Sequence, residues 1–164
     1  MDEKVVQGGK FLVVLVLSFT VLSALIDFLI PLKWIELLLA KIVVVFTGGE
    51  IVVQQPVMIL AENFSVQISY LCTGLMEFIV LVAAIIATTG IKKEKKLIGI
   101  IRAGIAVFLF NAGRIIITIS LIEKTDLQTI ELAHDLLFRI SLFVLIAGYY
   151  FVWYYSAVKG KTKK

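Results

Sequence analysis

The stretch 64–96, FSVQISYLCTGLMEFIVLVAAIIATTGIKKEKK, decides the fold. Its opening, Phe64-Ser65-Val66-Gln67-Ile68-Ser69-Tyr70, alternates apolar and polar residues, the period of a half-buried strand. From Leu71 to Ile91 runs an apolar segment whose one charge is Glu77. A bilayer span needs about 20 such residues. Lys92, Lys93, Lys95 and Lys96 close it, and basic loops stay on the cytoplasmic side. The stretch therefore reads as an extracytoplasmic strand, a helix crossing inward, and a cytoplasmic loop. Cys72, the only cysteine, falls at the outer end of that helix.

The rest of the chain extends the same pattern. It has 164 residues, 60% of them hydrophobic, and a mean hydropathy of +1.03. Soluble domains are usually about 45–50% apolar. The expected class is an all-α integral membrane protein with four transmembrane helices, an outer interfacial helix and a small extracytoplasmic β-hairpin. The spans fall at about 11–30, 71–91, 97–122 and 134–158, in one membrane domain covering 1–164. Lys4 and Lys10 precede the first span, and Lys159, Lys161, Lys163 and Lys164 follow the last, so both termini are expected to be cytoplasmic. Those two lysines before an apolar run also resemble the start of a signal peptide, but no small-residue cleavage site follows.

The extracytoplasmic segment is 33–70. Lys33–Phe46 is too short and too interrupted, by Glu36 and Lys41, to span. Leu37, Leu38 and Ile42, with Trp34 at one end, suggest a helix lying in the outer interface. Gly48-Gly49 breaks it. Two short β-prone runs follow, Ile51–Val53 and Val57–Leu60, with a turn candidate at Ala61-Glu62-Asn63. The polar stretch Glu123–Ala133 is the second outer loop, and Tyr149, Tyr150, Trp153, Tyr154 and Tyr155 form an aromatic belt at the cytoplasmic end of the last span.

The net charge of +4 sits in clusters flanking spans. That argues for contact with anionic lipid headgroups and against nucleic acid. One cysteine excludes an internal disulfide and a thiol-only metal site. Glu131-x-x-His134 has metal-ligand spacing, but a single pair is a poor zinc site. No metal or other cofactor is expected.

Three reactive residues converge in depth. Cys72 and His134, the only histidine, open the second and fourth spans at the outer surface. Arg114 is about 17 residues into the third span, roughly 26 Å from its cytoplasmic edge in a core about 30 Å thick. Lysines alone fixed the topology, so the agreement is an independent check. Ionisable groups within a bilayer are costly and mark functional sites. A thiol attacks as its thiolate, which a nearby cation favours. His134 can move the proton to a leaving amine, and the five donors of Arg114 can hold an oxyanion. Asn111 shares a helical face with Arg114 and can orient it. Thr73-Gly74 follows the thiol, and a glycine there allows close backbone approach.

Cys72-Thr73-Gly74 after an extracytoplasmic strand, Asn111-x-x-Arg114 in the next span and a histidine heading the last resemble the exosortase/archaeosortase family, over roughly residues 50–145. These are multi-spanning cysteine transpeptidases. The resemblance implies a nucleophile at Cys72, an arginine at Arg114 and a third residue at His134; relatives use His or Arg there, which leaves Arg139 as its competitor. It implies secreted protein substrates carrying a short motif, a hydrophobic helix and a basic tail. Cleavage would leave a thioester, released by a nucleophile such as a membrane lipid headgroup.

Plainer readings of the same residues remain. Cys72 can be an inert buried thiol, and Arg114 a partner of Glu77 or of helix carbonyls. Arg139 can clamp substrate or pair with Asp135 or Glu77, and His134 can cap the outer loop. Glu77 pairs with an arginine or stays protonated. The rival class is a non-enzymatic membrane assembly factor or transporter subunit; a thiol-dependent lipid acyltransferase is a third.

Overall fold

A computed structural model of the protein describes residues 3–29, 32–54, 56–60, 65–122 and 127–159. The described chain is mostly helical, with a small sheet. Helix α1 is Glu3–Leu29 and α2 is Leu32–Thr47. Three strands follow, β1 (Glu50–Val52), β2 (Val57–Leu60) and β3 (Ser65–Ile68). A 3-10 turn over Tyr70–Thr73 leads into α3 (Leu75–Ala87), then α4 (Lys93–Ile122) and α5 (Leu127–Lys159). Two compact units divide α4 and α5 between them. One holds Met1–Leu29, Met76–Ala106 and Phe143–Lys164; the other holds Ile30–Leu75 and Val107–Leu142.

Two helices, not four, are long and apolar enough to cross a membrane among the described residues: α1 through Val5–Ile26 and α4 through Lys93–Leu121. Leu75–Ala87, which is α3, and Phe143–Val158, a part of α5, are shorter apolar stretches among the described residues. At 1.5 Å per residue, the 13 residues of α3 rise about 20 Å, against about 30 Å of hydrocarbon. The expected span over 71–91 is cut at both ends. Gly74, with φ +77°, separates α3 from the turn that holds Cys72, and Gly90, with φ +73°, lies beyond its last turn. The helix α4 takes in Lys93–Lys96, which the sequence reading left to the loop, and α5 begins seven residues before His134. His134 therefore sits about two turns inside a helix rather than at its head.

The second unit is built around its sheet. The strands run antiparallel in the order β1-β2-β3, one strand more than the expected hairpin. Glu50 pairs with Leu60 across the first ladder and Val57 with Ile68 across the second. The extra strand is the short β-prone run before Pro56. Along β2 burial alternates, Val57 and Ile59 inward, Met58 and Leu60 more exposed, as the pleat requires. Against that face lie Leu39, Ala40 and Val43 of α2, and Ala112, Ile115 and Ile119 of α4. The spacing Glu36, Leu39, Ala40, Val43 is one stripe of an amphipathic helix. Of the residues that the sequence reading turned toward the outer interface, Trp34 and Leu38 are exposed, whereas Ile42 packs against the cluster.

The first unit pairs α4 and α5 antiparallel. Lys95 Nζ donates to the carbonyl of Ala157 (2.7 Å), the Trp153 indole to that of Lys95 (3.3 Å), and the Tyr149 hydroxyl to that of Gly99 (2.6 Å). Thr88 Oγ1, just past α3, lies 2.8 Å from the Tyr150 hydroxyl. These tyrosines and Trp153 therefore tie helix to helix.

Glu36 sits in the packed stripe of α2 and is buried. Burial pushes its pKa above the ordinary 4.5, opposed by the hydrogen bond it accepts from the Val57 backbone N–H. The folded chain thus holds this proton more tightly than the unfolded one, so stability falls as pH rises from 4.5 through the raised value. In thermal unfolding of the full chain in detergent, Glu36→Gln keeps the acceptor and should flatten that decline, melting no lower than the parent at pH 7. Glu36→Leu leaves the Val57 N–H unpaired and should cost about 1–3 kcal/mol at every pH.

Candidate functional site

Cys72 is positioned from both sides of its turn. The strand β3 ends at Ile68, and the Cys72 N–H bonds back to the Ser69 carbonyl (2.9 Å), closing the 3-10 turn. Ser69 Oγ lies 3.7 Å from Cys72 Sγ, within reach of a thiol hydrogen bond. Thr73 Oγ1 accepts the Leu75 N–H (3.4 Å), a side-chain cap on the first turn of α3. The thiol itself is half-buried.

Gly74 is where this turn meets α4. Its left-handed backbone suits glycine. A Cβ built there would run into Asn111 Nδ2 and lie 2.7 Å from a Val107 methyl. The contact works only without a side chain. Asn111 is fully buried and donates from Nδ2 to the Val107 carbonyl (3.0 Å), one turn back on its own helix. Its Oδ1 has no hydrogen-bond partner among the described residues. Asn111 therefore braces Gly74, where the sequence reading gave it the task of orienting Arg114.

Arg114 follows Asn111 on the same helical face and is 7% exposed. It lines one cleft with Cys72. The walls are Val66, Gln67 and Ile68 of β3 and Ile115, Thr118 and Ile119 of α4, and the volume is about 60 Å3. That is space for a few waters or one small side chain. The surroundings are mainly aliphatic, so a guanidinium acts there with less screening than in water.

The other sequence candidates divide. His134 and Arg139 belong to the same compact unit as Cys72 and Arg114, on α5. Their side chains lie outside the described residues, as does that of Asp135 and the turn candidate Ala61-Glu62-Asn63. Glu77, buried at 4% exposure, belongs to the first unit. Among the described residues no cluster of three metal-ligating side chains occurs. Sequence reasoning missed Ser69, Gln67 and Thr118. Two had a usable signal: Thr118 is one helical turn beyond Arg114, and Ser69 is one 3-10 turn before Cys72.

Comparison of the chain with protein-family models, with curated proteins and with solved structures gives no match. The functional reading accordingly rests on the cleft and on the order of its residues along the chain.

Gly74→Ala should destabilise the fold by about 2–5 kcal/mol, from a left-handed backbone and an overpacked contact together. Asn111→Ala in the same chain removes the obstructing amide and should recover part of the overpacking share, the Val107 methyl still crowding the new Cβ. Thermal melts of the two single variants and the double variant check this: simple additivity would show that the two residues do not touch.

Proposed function

We propose that the protein is a membrane-embedded cysteine peptidase and transpeptidase of the exosortase/archaeosortase type. It cleaves C-terminal sorting signals of secreted proteins at the outer membrane face and passes them, through a thioester, to a lipid or another nucleophile. The observation that carries this reading is the shared cleft: the lone thiol and a buried guanidinium line one small space beside a strand.

The membrane setting has its own support. No residue in the apolar window of α1 is buried, and Leu12 and Leu17 are each 60% exposed. Ile98, Ile101, Ile105 and Leu109 make an exposed apolar stripe along α4, and Phe143, Val144, Phe151 and Val152 are exposed on α5. Apolar surface on this scale needs lipid or protein to cover it. In the proposed topology α1, α3, α4 and α5 are all spans, the termini and lysine clusters are cytoplasmic, and α2 with the sheet lies outside. The short α3 fits because the turn at Cys72 continues it toward the outer interface. The exposed Trp34 and Leu38 of α2 then face the headgroup region.

The chemistry follows from the residues. The Cys72 thiolate adds to the scissile carbonyl, and Arg114 holds the resulting oxyanion. Collapse breaks the C–N bond and leaves an acyl thioester on Cys72. The departing amine takes the proton that His134 received from the thiol, with Arg139 as the competing third residue. The acceptor's nucleophile then adds to the thioester, gives up its proton to the same base, and frees the thiol. Ser69 Oγ, 3.7 Å from the sulfur, helps fix the thiol rotamer. Gln67 and Val66 line the approach and are placed to meet the substrate beside the scissile bond.

A secreted reporter carrying an apolar helix and a basic tail, co-expressed with the chain, provides the test. Cys72→Ala should abolish processing, by at least about 1,000-fold, while membrane insertion persists. Arg114→Lys keeps the charge but loses the planar fork and should cost about 100- to 1,000-fold. Processing at the parent rate in Cys72→Ala, with the protein inserted, would reject the assignment and favour a non-enzymatic assembly role.

A further inference from the structure

The first unit holds a second cavity, which shares no lining residue with the cleft at Cys72. It is about 220 Å3, roughly the share of seven waters in the liquid. Its walls come from the N-terminal turns of α4 (Lys95, Ile98, Gly99, Arg102) and the C-terminal turns of α5 (Trp153, Ser156, Ala157). Among the described residues, two cations and no carboxylate line it. Lys95 spends one of its three ammonium donors on the Ala157 carbonyl, which also offsets the negative end of α5. Two donors remain. The Arg102 guanidinium is exposed at the rim with five donors in a fixed fork. The Trp153 indole N–H is already used on the Lys95 carbonyl, and the Ser156 hydroxyl donates to Val152. The wall between the cations is therefore apolar and closed to further donation, and only the two cations can serve a ligand. Neighbouring Lys92 and Lys93, both exposed, add positive potential, with Glu94 the one carboxylate in that turn.

We propose that this cavity binds the phosphate of an anionic phospholipid headgroup. The ligand class follows from the donors: a compact, multiply accepting anion between a forked guanidinium and an ammonium. The lipid source follows from the position. Exposed Ile98 and Ile101 lead from the same helix turns onto the apolar stripe of α4, so acyl chains have a surface to follow once the phosphate is seated. The site rests on the membrane setting argued above and not on the chemistry at Cys72.

Trp153 reports on its own pocket. The chain has two tryptophans, so Trp34→Phe leaves Trp153 as the sole indole. The full-length Trp34→Phe chain is reconstituted in vesicles of phosphatidylcholine mixed with acyl-brominated phosphatidylglycerol or acyl-brominated phosphatidylcholine at equal mole fraction. Bromines quench an adjacent indole. The phosphatidylglycerol form should associate about fivefold more strongly, the increment expected of one cationic residue near a charged surface. Adding Arg102→Gln should remove that preference, as should Ser156→Glu, which sets a carboxylate on the wall; Lys10→Gln, outside the cavity, should leave it intact. Equal quenching by both lipids overturns the site while leaving the membrane setting in place. No quenching by either overturns the membrane setting and the site with it. A preference untouched by Arg102→Gln and Ser156→Glu, or lowered equally by Lys10→Gln, assigns it to general surface charge and overturns the site. A preference erased by inorganic phosphate at matched ionic strength overturns the lipid source and makes free phosphate the ligand.

Discussion

The contact between Gly74 and Asn111 is the constraint on which the thiol cleft depends. With a hydrogen in place of a side chain, the turn after Cys72 closes onto α4 to within van der Waals contact of an amide. Asn111 and Arg114 share a helical face. Bringing residue 74 to residue 111 therefore sets the preceding thiol beside the following guanidinium. Asn111 is fixed by its own bond to Val107, and its side-chain carbonyl oxygen has no partner among the described residues. A buried unpaired acceptor costs about 1–3 kcal/mol. The chain tolerates that cost at the one place where its turn must touch the helix.

The rest of the second unit keeps the turn there. The inner stripe of α2, the alternating residues of β2 and the Ala112, Ile115, Ile119 face of α4 form one apolar cluster. Each fully buried aliphatic side chain in it contributes about 1.5–3 kcal/mol. Glu36 is the polar exception, tied to the first residue of β2. The sheet is too small to stand alone, since short isolated ribbons are marginal in water. Its stability comes from the helices packed on its inward face, so the geometry at Cys72 inherits the rigidity of α2 and α4.

Much of this was legible in the sequence. The alternation in 64–70, the β-prone runs before it and the apolar helices α1 and α4 appear near their expected places. Cys72 and Arg114, far apart in the chain, were expected together and do line one cleft. The errors have physical causes. Element ends shifted because lysine and glutamate are good helix formers, so Lys93–Lys96 wound into α4 instead of remaining a loop. The side of α2 that packs on the sheet was not named in advance because both its sides are apolar, and periodicity alone cannot say which side meets protein. The brace at Asn111 was not foreseeable from spacing, since it depends on a neighbour 37 positions away. Ser69 escaped because it looked like one more polar residue in an alternating strand.

The strand β3 is the last in its sheet, and its four residues include two exposed polar ones, Ser65 and Gln67. A rim this short and hydrophilic gives another copy of the protein little to zip onto, which guards against self-association through the sheet. The same rim runs straight into the turn that carries the half-buried thiol. Solubility of the sheet edge and the place of the sulfur are thus two results of the same four residues.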